Sequence, residues 1–129
     1  MAEKAVVRTE RAPAPFQGAP YSQAIRVGDL VFVSGQLALR PGENELSGGS
    51  IQEQTDLIFQ NLEAILAEAG SGLAKLVKTT VFLQSLDDFA GMNQVYASRV
   101  GGRPPARSTV EVAQLPSGAL VEIDAIAHL

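Results

Sequence analysis

The sequence is organised around one stretch near its C-terminus, Pro104-Pro105-Ala106-Arg107-Ser108-Thr109-Val110-Glu111-Val112. Proline cannot donate to a sheet and forces the preceding residue into an extended conformation, so this stretch predicts a loop that becomes a strand at Arg107. Side chains alternate along a strand, which places Arg107, Thr109 and Glu111 on one face. A cation fixed at such a junction could anchor a carboxylate. The alternative, which the stretch alone favours, is an ordinary arginine that pairs with Glu111 or another surface acid.

Hydrophobic periodicity predicts the other elements. Period-two patterns predict strands over residues 5–10, 21–27, 30–36, 73–83, 107–112 and 119–127. A helical pattern runs from Ile51 to Ala69, with Ser50 as its capping residue and Gly70 as its stop signal. A second helix opens at Asp87-Asp88 and ends at Gly101-Gly102. Its predicted apolar face comprises Phe89, Met92, Val95, Tyr96 and Val100.

This order of elements predicts one α+β domain over residues 1–129, in which a single-layer mixed sheet carries two helices on one face. The strand over residues 30–36 is apolar on both sides, because Val31 and Val33 point one way while Leu30 and Phe32 point the other. If the helices cover one face of the sheet, the other face also needs a cover. In so small a chain, the expected cover is a second copy of the same chain.

Composition narrows the possible functions. Apolar residues make up 46% of the chain and charged residues 19%, which is typical of a globular protein. The net charge is −4 and the lysines and arginines are scattered, so the sequence shows no basic patch that would bind nucleic acid. The chain has no cysteine, no apolar run of the roughly 20 residues that a membrane span needs, and no apolar signal core at its N-terminus. We therefore expect a cytoplasmic protein without a nucleic-acid or membrane partner.

The residue types present in the chain exclude most catalytic mechanisms. The one histidine, His128, lies second from the end, where we expect it to be frayed and solvated, so a serine–histidine–aspartate triad is excluded. Acids and histidine show no metal-ligand spacing, and the sequence has no glycine-rich phosphate loop. Lys78 could form a Schiff base, but its neighbours Thr79 and Thr80 indicate a solvent-facing position on a strand.

Polar side chains at strand ends and on the second helix remain as candidates: Tyr21, Ser34, Gln36, Asn93, Arg107, Thr109, Glu122 and Asp124. Glu122 and Asp124 share one face of an apolar strand, where an ionised carboxylate is costly to bury unless it is paired. Glu122 is therefore either a functional carboxylate or a structural partner of Arg107 or Lys78. For Asp124, Glu111 and Asn93 the structural interpretation is favoured.

These residues and the segments around them resemble the RidA (YjgF) family of imine deaminases. The resemblance covers nearly the whole chain in the family's order, through Pro20-Tyr21-Ser22-Gln23-Ala24, Val33-Ser34-Gly35-Gln36, Val77-Lys78-Thr79-Thr80-Val81-Phe82-Leu83, Asp88-Phe89, Met92-Asn93, Val95-Tyr96, Pro105-Ala106-Arg107-Ser108 and Val121-Glu122-Ile123-Asp124-Ala125-Ile126-Ala127. The arginine segment combined with the closing acidic strand is its most specific part.

The resemblance implies a chorismate-mutase-like α+β fold that assembles as a homotrimer around a central barrel, with sites in the clefts between subunits. It implies hydrolysis of reactive 2-imino acids (2-iminobutanoate and 2-iminopropanoate) to 2-oxo acids and ammonia. By the same resemblance, this activity would prevent damage to pyridoxal-phosphate enzymes and would require no cofactor or metal. The expected partners are the small imino or oxo acid and further copies of the chain.

Roles for individual residues also follow from the resemblance. Arg107 would hold the substrate carboxylate, and Glu122 would position and deprotonate the attacking water. The substrate-binding residues would be Tyr21, Ser34, Gly35, Asn93, Arg107 and Thr109, with Thr109 at a position where many members carry cysteine. The alternative is a non-catalytic trimeric module that binds or senses small carboxylates. Chorismate mutase, which shares the fold class, is disfavoured because its dianionic substrate would need several converging cations.

Overall fold

A computed structural model describes residues 3–129, so the first two residues of the N-terminal stretch lie outside the described range. The elements follow the predicted order: β1 (Ala5–Val7), β2 (Ala24–Val27), β3 (Leu30–Gln36), α1 (Ile51–Glu68), β4 (Leu76–Leu83), α2 (Phe89–Val100), β5 (Ala106–Glu111) and β6 (Val121–His128). Short 3-10 turns occupy Phe16–Gly18, Leu73–Lys75, Leu86–Asp88 and Pro116–Gly118. Neither α1 nor α2 is both long and apolar enough to cross a membrane.

All six strands form one open mixed sheet in the order β1-β2-β3-β6-β4-β5. Only β4 and β5 run parallel, and α2 provides the crossover that a parallel pair requires. The C-terminal strand β6 returns to the middle of the sheet, antiparallel to both β3 and β4. The strand that carries Arg107 therefore lies at one edge, and the strand that carries Glu122 lies near the centre.

Both helices pack on one face of the sheet, which confirms the predicted α+β architecture. Alternate residues of β6 (Val121, Ile123 and Ala125) are buried beneath them, together with Val81 and Leu83 of β4. The capping prediction for α1 is also confirmed, because Ser50 Oγ accepts a hydrogen bond from the Glu53 N–H at 3.0 Å. The opposite face carries exposed apolar side chains, including Phe32 at 41% and Val110 at 42% exposure.

The predicted boundaries were wrong where side-chain hydrogen bonds replace the strand ladder. β1 ends at Val7 instead of residue 10, because the Thr9 N–H donates to the buried Gln23 side chain at 2.7 Å. β2 begins at Ala24 instead of residue 21 for the same reason, since the Gln23 amide also donates to the carbonyls of Thr9 and Pro13. One buried glutamine thus holds the loop that precedes β2.

The expected alternation along β4 also fails at its start. Residues Leu73–Lys75 form a 3-10 turn, and the pairing with β6 shifts register between Leu76 and Lys78. Such an irregularity redirects side chains, and Val77 is accordingly 44% exposed instead of buried with Thr79 and Val81.

Predictions near the second helix and the C-terminus need correction too. α2 begins at Phe89, because Ser85 caps a separate 3-10 turn over Leu86–Asp88. β6 begins at Val121 instead of residue 119 and includes His128, which pairs with Leu30. The His128 carbonyl also accepts a hydrogen bond from Ser71 Oγ at 2.6 Å. The backbone of His128 is therefore held in the sheet and is not frayed, although its side chain is exposed.

A buried asparagine ties α1 to the chain that follows β3. Asn61 is 2% exposed, and its Nδ2 donates to the carbonyls of Leu37 at 3.2 Å and Leu39 at 2.9 Å. The apolar periodicity of α1 gave no sign of this polar contact. It fixes residues 37–39 where they leave the sheet.

We predict that Asn61→Leu destabilises the protein by about 1–3 kcal/mol, because it leaves a buried carbonyl without its donor. Urea unfolding at equilibrium measures this change, with Glu63→Ala at an exposed position of the same helix as the control. An Asn61→Leu variant as stable as the wild type would show that water replaces the amide.

Candidate functional site

The predicted site residues fall into two groups on opposite faces of the sheet. Arg107 lies beside Thr79 in the parallel β4–β5 register, and Thr79 is buried against Tyr96 of α2, so Arg107 faces the helices. Glu122 lies between the buried Val121 and Ile123 of β6 and beside Phe82, so it points away from the helices. We call the first group, Arg107 with Asn93, the arginine half-site. We call the second group, Glu122 with Gly35, Ser34 and Tyr21, the carboxylate half-site.

The arginine half-site is built where β5 meets α2. Arg107 Nη1 donates to Asn93 Oδ1 at 2.7 Å, and the guanidinium carbon lies 4.7 Å from the ring centroid of Tyr96 and 5.5 Å from that of Phe89. Arg107, Asn93 and Tyr96 border a cavity of about 290 Å³, which Pro104 and Pro105 also line. An amide oxygen carries no full charge, so this hydrogen bond leaves the positive charge of Arg107 uncompensated.

The structural alternatives for Arg107 are wrong. Glu111 Oε1 accepts the Leu86 N–H at 2.9 Å, which uses this carboxylate to hold the turn before α2. Glu122 lies on the other face of the sheet and cannot pair with Arg107 within one chain. In the described part of the chain, the salt bridge that forms joins Arg99 to Asp56 at 2.6 Å.

The carboxylate half-site surrounds a larger cavity of about 440 Å³. The structure brings together five of the predicted residues along its wall, from β3, β6 and the loop before β2: Tyr21, Ser34, Gly35, Gln36 and Glu122. Its apolar lining was not predicted and includes Phe16, Leu37, Leu39 and Pro116. A small polar group set in an apolar wall is the usual composition of a site for a small ligand.

The Glu122 carboxylate lies so close to residue 35 that only glycine fits there without displacing it. A methyl group built at Gly35 would overlap the Glu122 carboxylate, so this carboxylate lies directly against the backbone of β3. The β3–β6 pairing shifts register between Val33 and Gln36, at the point where Gly35 lies. Irregular pairing next to a polar group is a common way of directing side chains into a site.

The electrostatic environment of Glu122 favours its neutral form. The pKa of Glu122 is raised above its usual range. Partial burial of the carboxyl group is the larger cause, and repulsion from the nearby Asp124 carboxylate is the smaller one. The alternative that Lys78 pairs with Glu122 is wrong, since the Lys78 ammonium donates to Thr80 Oγ1 at 3.3 Å. A half-buried carboxyl with a raised pKa, facing a cavity, is a candidate to accept and return protons.

Ser34 and Tyr21 are held in place by backbone contacts. Ser34 Oγ donates to the Ser22 carbonyl at 2.6 Å, which leaves the hydroxyl oxygen free to accept a hydrogen bond. Tyr21 Oη accepts the Phe16 N–H at 2.5 Å, and the ring is 41% exposed. Both side chains are therefore oriented by the loop that precedes β2.

Two turns beside the carboxylate half-site carry non-glycine residues in the left-handed region. Gln17 has a φ of 55° in the turn Phe16–Gly18, and Ser117 has a φ of 56° in the turn Pro116–Gly118. Gln17 and Pro116 line the cavity, so both turns form part of its rim. Backbone strain of this kind, about 1–3 kcal/mol per residue, concentrates at functional sites.

Thr109 occupies a different position from the other predicted residues. It pairs with Val81 on the helix side of β5, and it lines neither of the two cavities. Its Oγ1 is buried without a hydrogen-bond partner among residues 3–129. The role of Thr109 in substrate binding stays a prediction.

Sequence reasoning missed the aromatic partners of Arg107. Phe89 and Tyr96 were assigned to the apolar face of α2, because spacing alone does not separate a core aromatic from one that contacts a site residue. Within residues 3–129, no three histidine, cysteine, aspartate or glutamate side chains lie close enough together to hold a metal ion.

The fold and the two half-sites define the class of the protein. The chain has an open six-stranded mixed sheet with two helices, and solved structures of RidA-like proteins superpose on it. The crystal structure of RidA from an Antarctic Psychrobacter superposes with a TM-score of 0.91 at 40% identity, covering 97% of this chain and 99% of that one. The structure of E. coli TdcF with bound serine superposes with a TM-score of 0.87 at 36% identity, covering 97% of this chain and 98% of that one.

The chain belongs to the endoribonuclease L-PSP family, whose model matches residues 9–129. It is 49% identical to a RutC family protein of Pyrococcus abyssi over 97% of both chains. It is 43% identical to the chloroplastic Reactive Intermediate Deaminase A of Arabidopsis thaliana, over 98% of this chain and 67% of the Arabidopsis protein. The family thus includes reactive intermediate deaminases.

We predict that Glu122→Gln raises the melting temperature at about pH 7. Because the pKa of Glu122 is raised in the folded state, its ionisation opposes folding, and stability falls as pH rises from the unfolded pKa of about 4.3 through the folded value. The neutral glutamine removes this penalty. The difference from the wild type should therefore disappear below about pH 4, where both side chains are neutral.

Differential scanning calorimetry at both pH values measures this effect, with the exposed Glu63→Gln as the matched control. A Glu122→Gln variant that melts below the wild type at neutral pH would show that the carboxylate makes a favourable interaction in the folded state.

Proposed function

We propose that this protein hydrolyses reactive 2-imino acids, including 2-iminobutanoate and 2-iminopropanoate, to 2-oxo acids and ammonia. The observation that carries the proposal is that the chain presents both a guanidinium without an acidic partner and a half-buried carboxyl of raised pKa that lines a cavity. The first suits the α-carboxylate of the substrate, and the second suits the water that attacks its C=N bond. The relationship to an Arabidopsis protein named Reactive Intermediate Deaminase A supports this choice.

The proposal requires more than one copy of the chain. Arg107 and Glu122 lie on opposite faces of one sheet, so a single substrate cannot reach both within one subunit. A second copy packed on the helix-free face, where Phe32 and Val110 are exposed, can present its arginine half-site to the carboxylate half-site of the first. We propose that chains of one domain each, residues 1–129, close into a homotrimer around a central barrel by repeating this head-to-tail contact.

Arg107 is the proposed carboxylate anchor. Its planar fork can donate two parallel N–H bonds to a carboxylate, which a lysine ammonium cannot reproduce. Asn93 contacts only Nη1, so the other donors of the guanidinium are left for the substrate.

Glu122 is the proposed acid/base. Water attacks the carbon of the protonated imine, a C–O bond forms, and the electron pair of the C=N π bond moves to nitrogen. Ionised Glu122 takes the proton that water releases and passes it to that nitrogen. It then takes the remaining hydroxyl proton as the C=O bond forms, the C–N bond breaks and ammonia leaves. Ser34 Oγ and Tyr21 line the same cavity and are proposed, with Thr109 and Asn93, to bind the substrate.

The sparse set of polar groups is sufficient for this reaction without a cofactor. A protonated imine is already electrophilic, so the protein must mainly orient water and substrate. Orientation can supply about 7–11 kcal/mol in favourable cases, and one acid/base group adds roughly 10²–10⁴-fold.

The family name and one solved relative suggest two other functions. The family's name refers to RNA cleavage, but the chain has a net charge of −4 and its 10 lysines and arginines form no basic run to contact phosphates. TdcF, a relative with bound serine, favours the alternative of a non-catalytic module that binds small carboxylates or amino acids. Turnover distinguishes this alternative from the deaminase.

We predict that Arg107→Ala lowers kcat/KM by about 100-fold and Arg107→Lys by about tenfold, because charge-assisted bonds to the substrate carboxylate are lost or reduced to a point charge. An amino-acid oxidase generates the imino acid, and semicarbazide traps whatever the protein has not hydrolysed. Arg26→Ala, at an exposed position of β2, is the control. Light scattering should give three times the 13.6 kDa chain mass for wild type and variants.

A wild-type protein that does not lower the trapped imine, over several parent amino acids, would disprove the deaminase. Calorimetric binding of pyruvate without turnover would then establish the binding module.

We predict that Gly35→Ala lowers kcat by roughly 10²–10⁴-fold, because the new methyl group pushes the Glu122 carboxylate out of the cavity. The φ of Gly35 is outside the left-handed region, so the fold should tolerate alanine. Gly49→Ala is the matched control, since a methyl group there meets no atom within 4 Å. If Gly35→Ala keeps the wild-type kcat at an unchanged melting temperature, the position of Glu122 does not limit the reaction.

A further inference from the structure

We infer that Tyr96, fixed in place by Thr79, is a positioning residue that sets the orientation of the Arg107 guanidinium. The ring of Tyr96 lies 4.7 Å from the guanidinium carbon, closer than the ring of Phe89 at 5.5 Å. Both distances are within the range of a cation–π contact. The inference rests on the proposed function only in assigning Arg107 to the substrate carboxylate.

Tyr96 is held by contacts that do not involve the arginine. Its hydroxyl shares a hydrogen bond with Thr79 Oγ1, and the two residues are 5% and 0% exposed. Its ring also packs edge-on against Phe59, with centroids 5.4 Å apart and planes at 83°. The tyrosine is therefore a rigid surface against which the arginine rests.

These contacts connect three elements of the fold, β4, β5 and α2. Thr79 of β4 lies directly beside Arg107 of β5 in the parallel register, and Tyr96 of α2 contacts both of them. Asn93, one turn earlier on α2, holds Nη1 of the same guanidinium. The aromatic ring of Tyr96 thus packs against the guanidinium group, and the Asn93 amide oxygen holds Nη1.

This arrangement orients the arginine without neutralising it. An acidic partner would fix the guanidinium equally well, but it would compete with the carboxylate of a substrate. A ring and an amide leave the positive charge intact and the remaining N–H donors free. Because less side-chain freedom is lost on binding, the contact should act on substrate affinity, and hence on KM, more than on kcat.

The test compares Tyr96→Phe, Tyr96→Leu and the core variant Met92→Ala, which removes buried volume from the same helix without touching the guanidinium. Tyr96→Leu should raise KM roughly 5- to 30-fold with kcat changed less than about twofold, as expected for loss of a partly desolvated cation–π contact. Tyr96→Phe keeps the ring and should stay within about threefold of the wild-type KM. Met92→Ala should lower the melting temperature and leave KM unchanged.

A Tyr96→Leu variant with the wild-type KM, or a Tyr96→Phe variant as impaired as Tyr96→Leu, would overturn the inference. Thr79→Val, which keeps the volume but removes the partner of the tyrosine hydroxyl, tests the second contact if Tyr96→Leu does not fold. Because it removes the same hydrogen bond as Tyr96→Phe, it should raise KM by no more than about threefold, but more than Met92→Ala does, and an effect no larger than that of Met92→Ala would also count against the inference.

A readout that needs no reaction separates this inference from the proposed function. The Nε–H resonance of Arg107, identified by its absence in Arg107→Ala, should be narrow and protected from exchange in the wild type and in Tyr96→Phe. It should broaden in Tyr96→Leu. A protein without deaminase activity that shows this pattern would disprove the function but not the positioning, and a broad wild-type resonance would disprove the positioning.

Discussion

The alternation of side chains along a strand is the constraint on which the rest of the structure depends. It places Arg107 among the helices and Glu122 on the bare face, although β4 is the only strand between those that carry them. The two side chains cannot form an ion pair within one chain, because no small shift of a loop would bring them to the same face. The two half-sites therefore point away from each other, and the proposed site, which uses both, needs a second subunit.

Side-chain amides hold the loops that shape the carboxylate half-site. Gln23 binds the loop before β2, Asn61 binds the carbonyls of Leu37 and Leu39, and Gln84 binds Ala113 and Leu115 ahead of the turn at Pro116. Asn61 lies on α1, while Gln23 directly precedes β2 and Gln84 directly follows β4, and each amide reaches a segment that has no strand ladder of its own. Loops fixed in this way can carry a precise cavity wall without regular secondary structure.

The order of the elements, the α+β class and the separate faces of β6 were predictable, because they follow from local periodicity. Contacts between distant segments were not predictable. The partner of Arg107 comes from α2, and nothing in the spacing distinguished the Asn93 amide from the Glu111 carboxylate. The register shift before Lys78 likewise depends on pairing with β6, which no local pattern encodes. The amide of Asn61 lies within an apolar helical face that indicated only packing.

The division of the candidate site residues between two cavities was not predictable for the same reason. Five of them line one cavity, namely Tyr21, Ser34, Gly35, Gln36 and Glu122, while Arg107 and Asn93 border another. The residues were known from the resemblance, but their division between two faces required the sheet. The aromatic ring of Tyr96 was hidden among core residues, since it serves the core and the arginine at once.

Both half-sites keep a polar group in an unfavourable state. Arg107 is half-buried with a full charge and a neutral partner, and Glu122 is half-buried beside a second carboxylate. Stable folds normally pair such groups, because desolvation without compensation costs free energy. Packing a second subunit over the bare face would desolvate Glu122 further and raise its pKa more. Assembly would then do more than complete the site, since it would also bring the carboxyl closer to the protonation equilibrium that an acid/base needs near neutral pH.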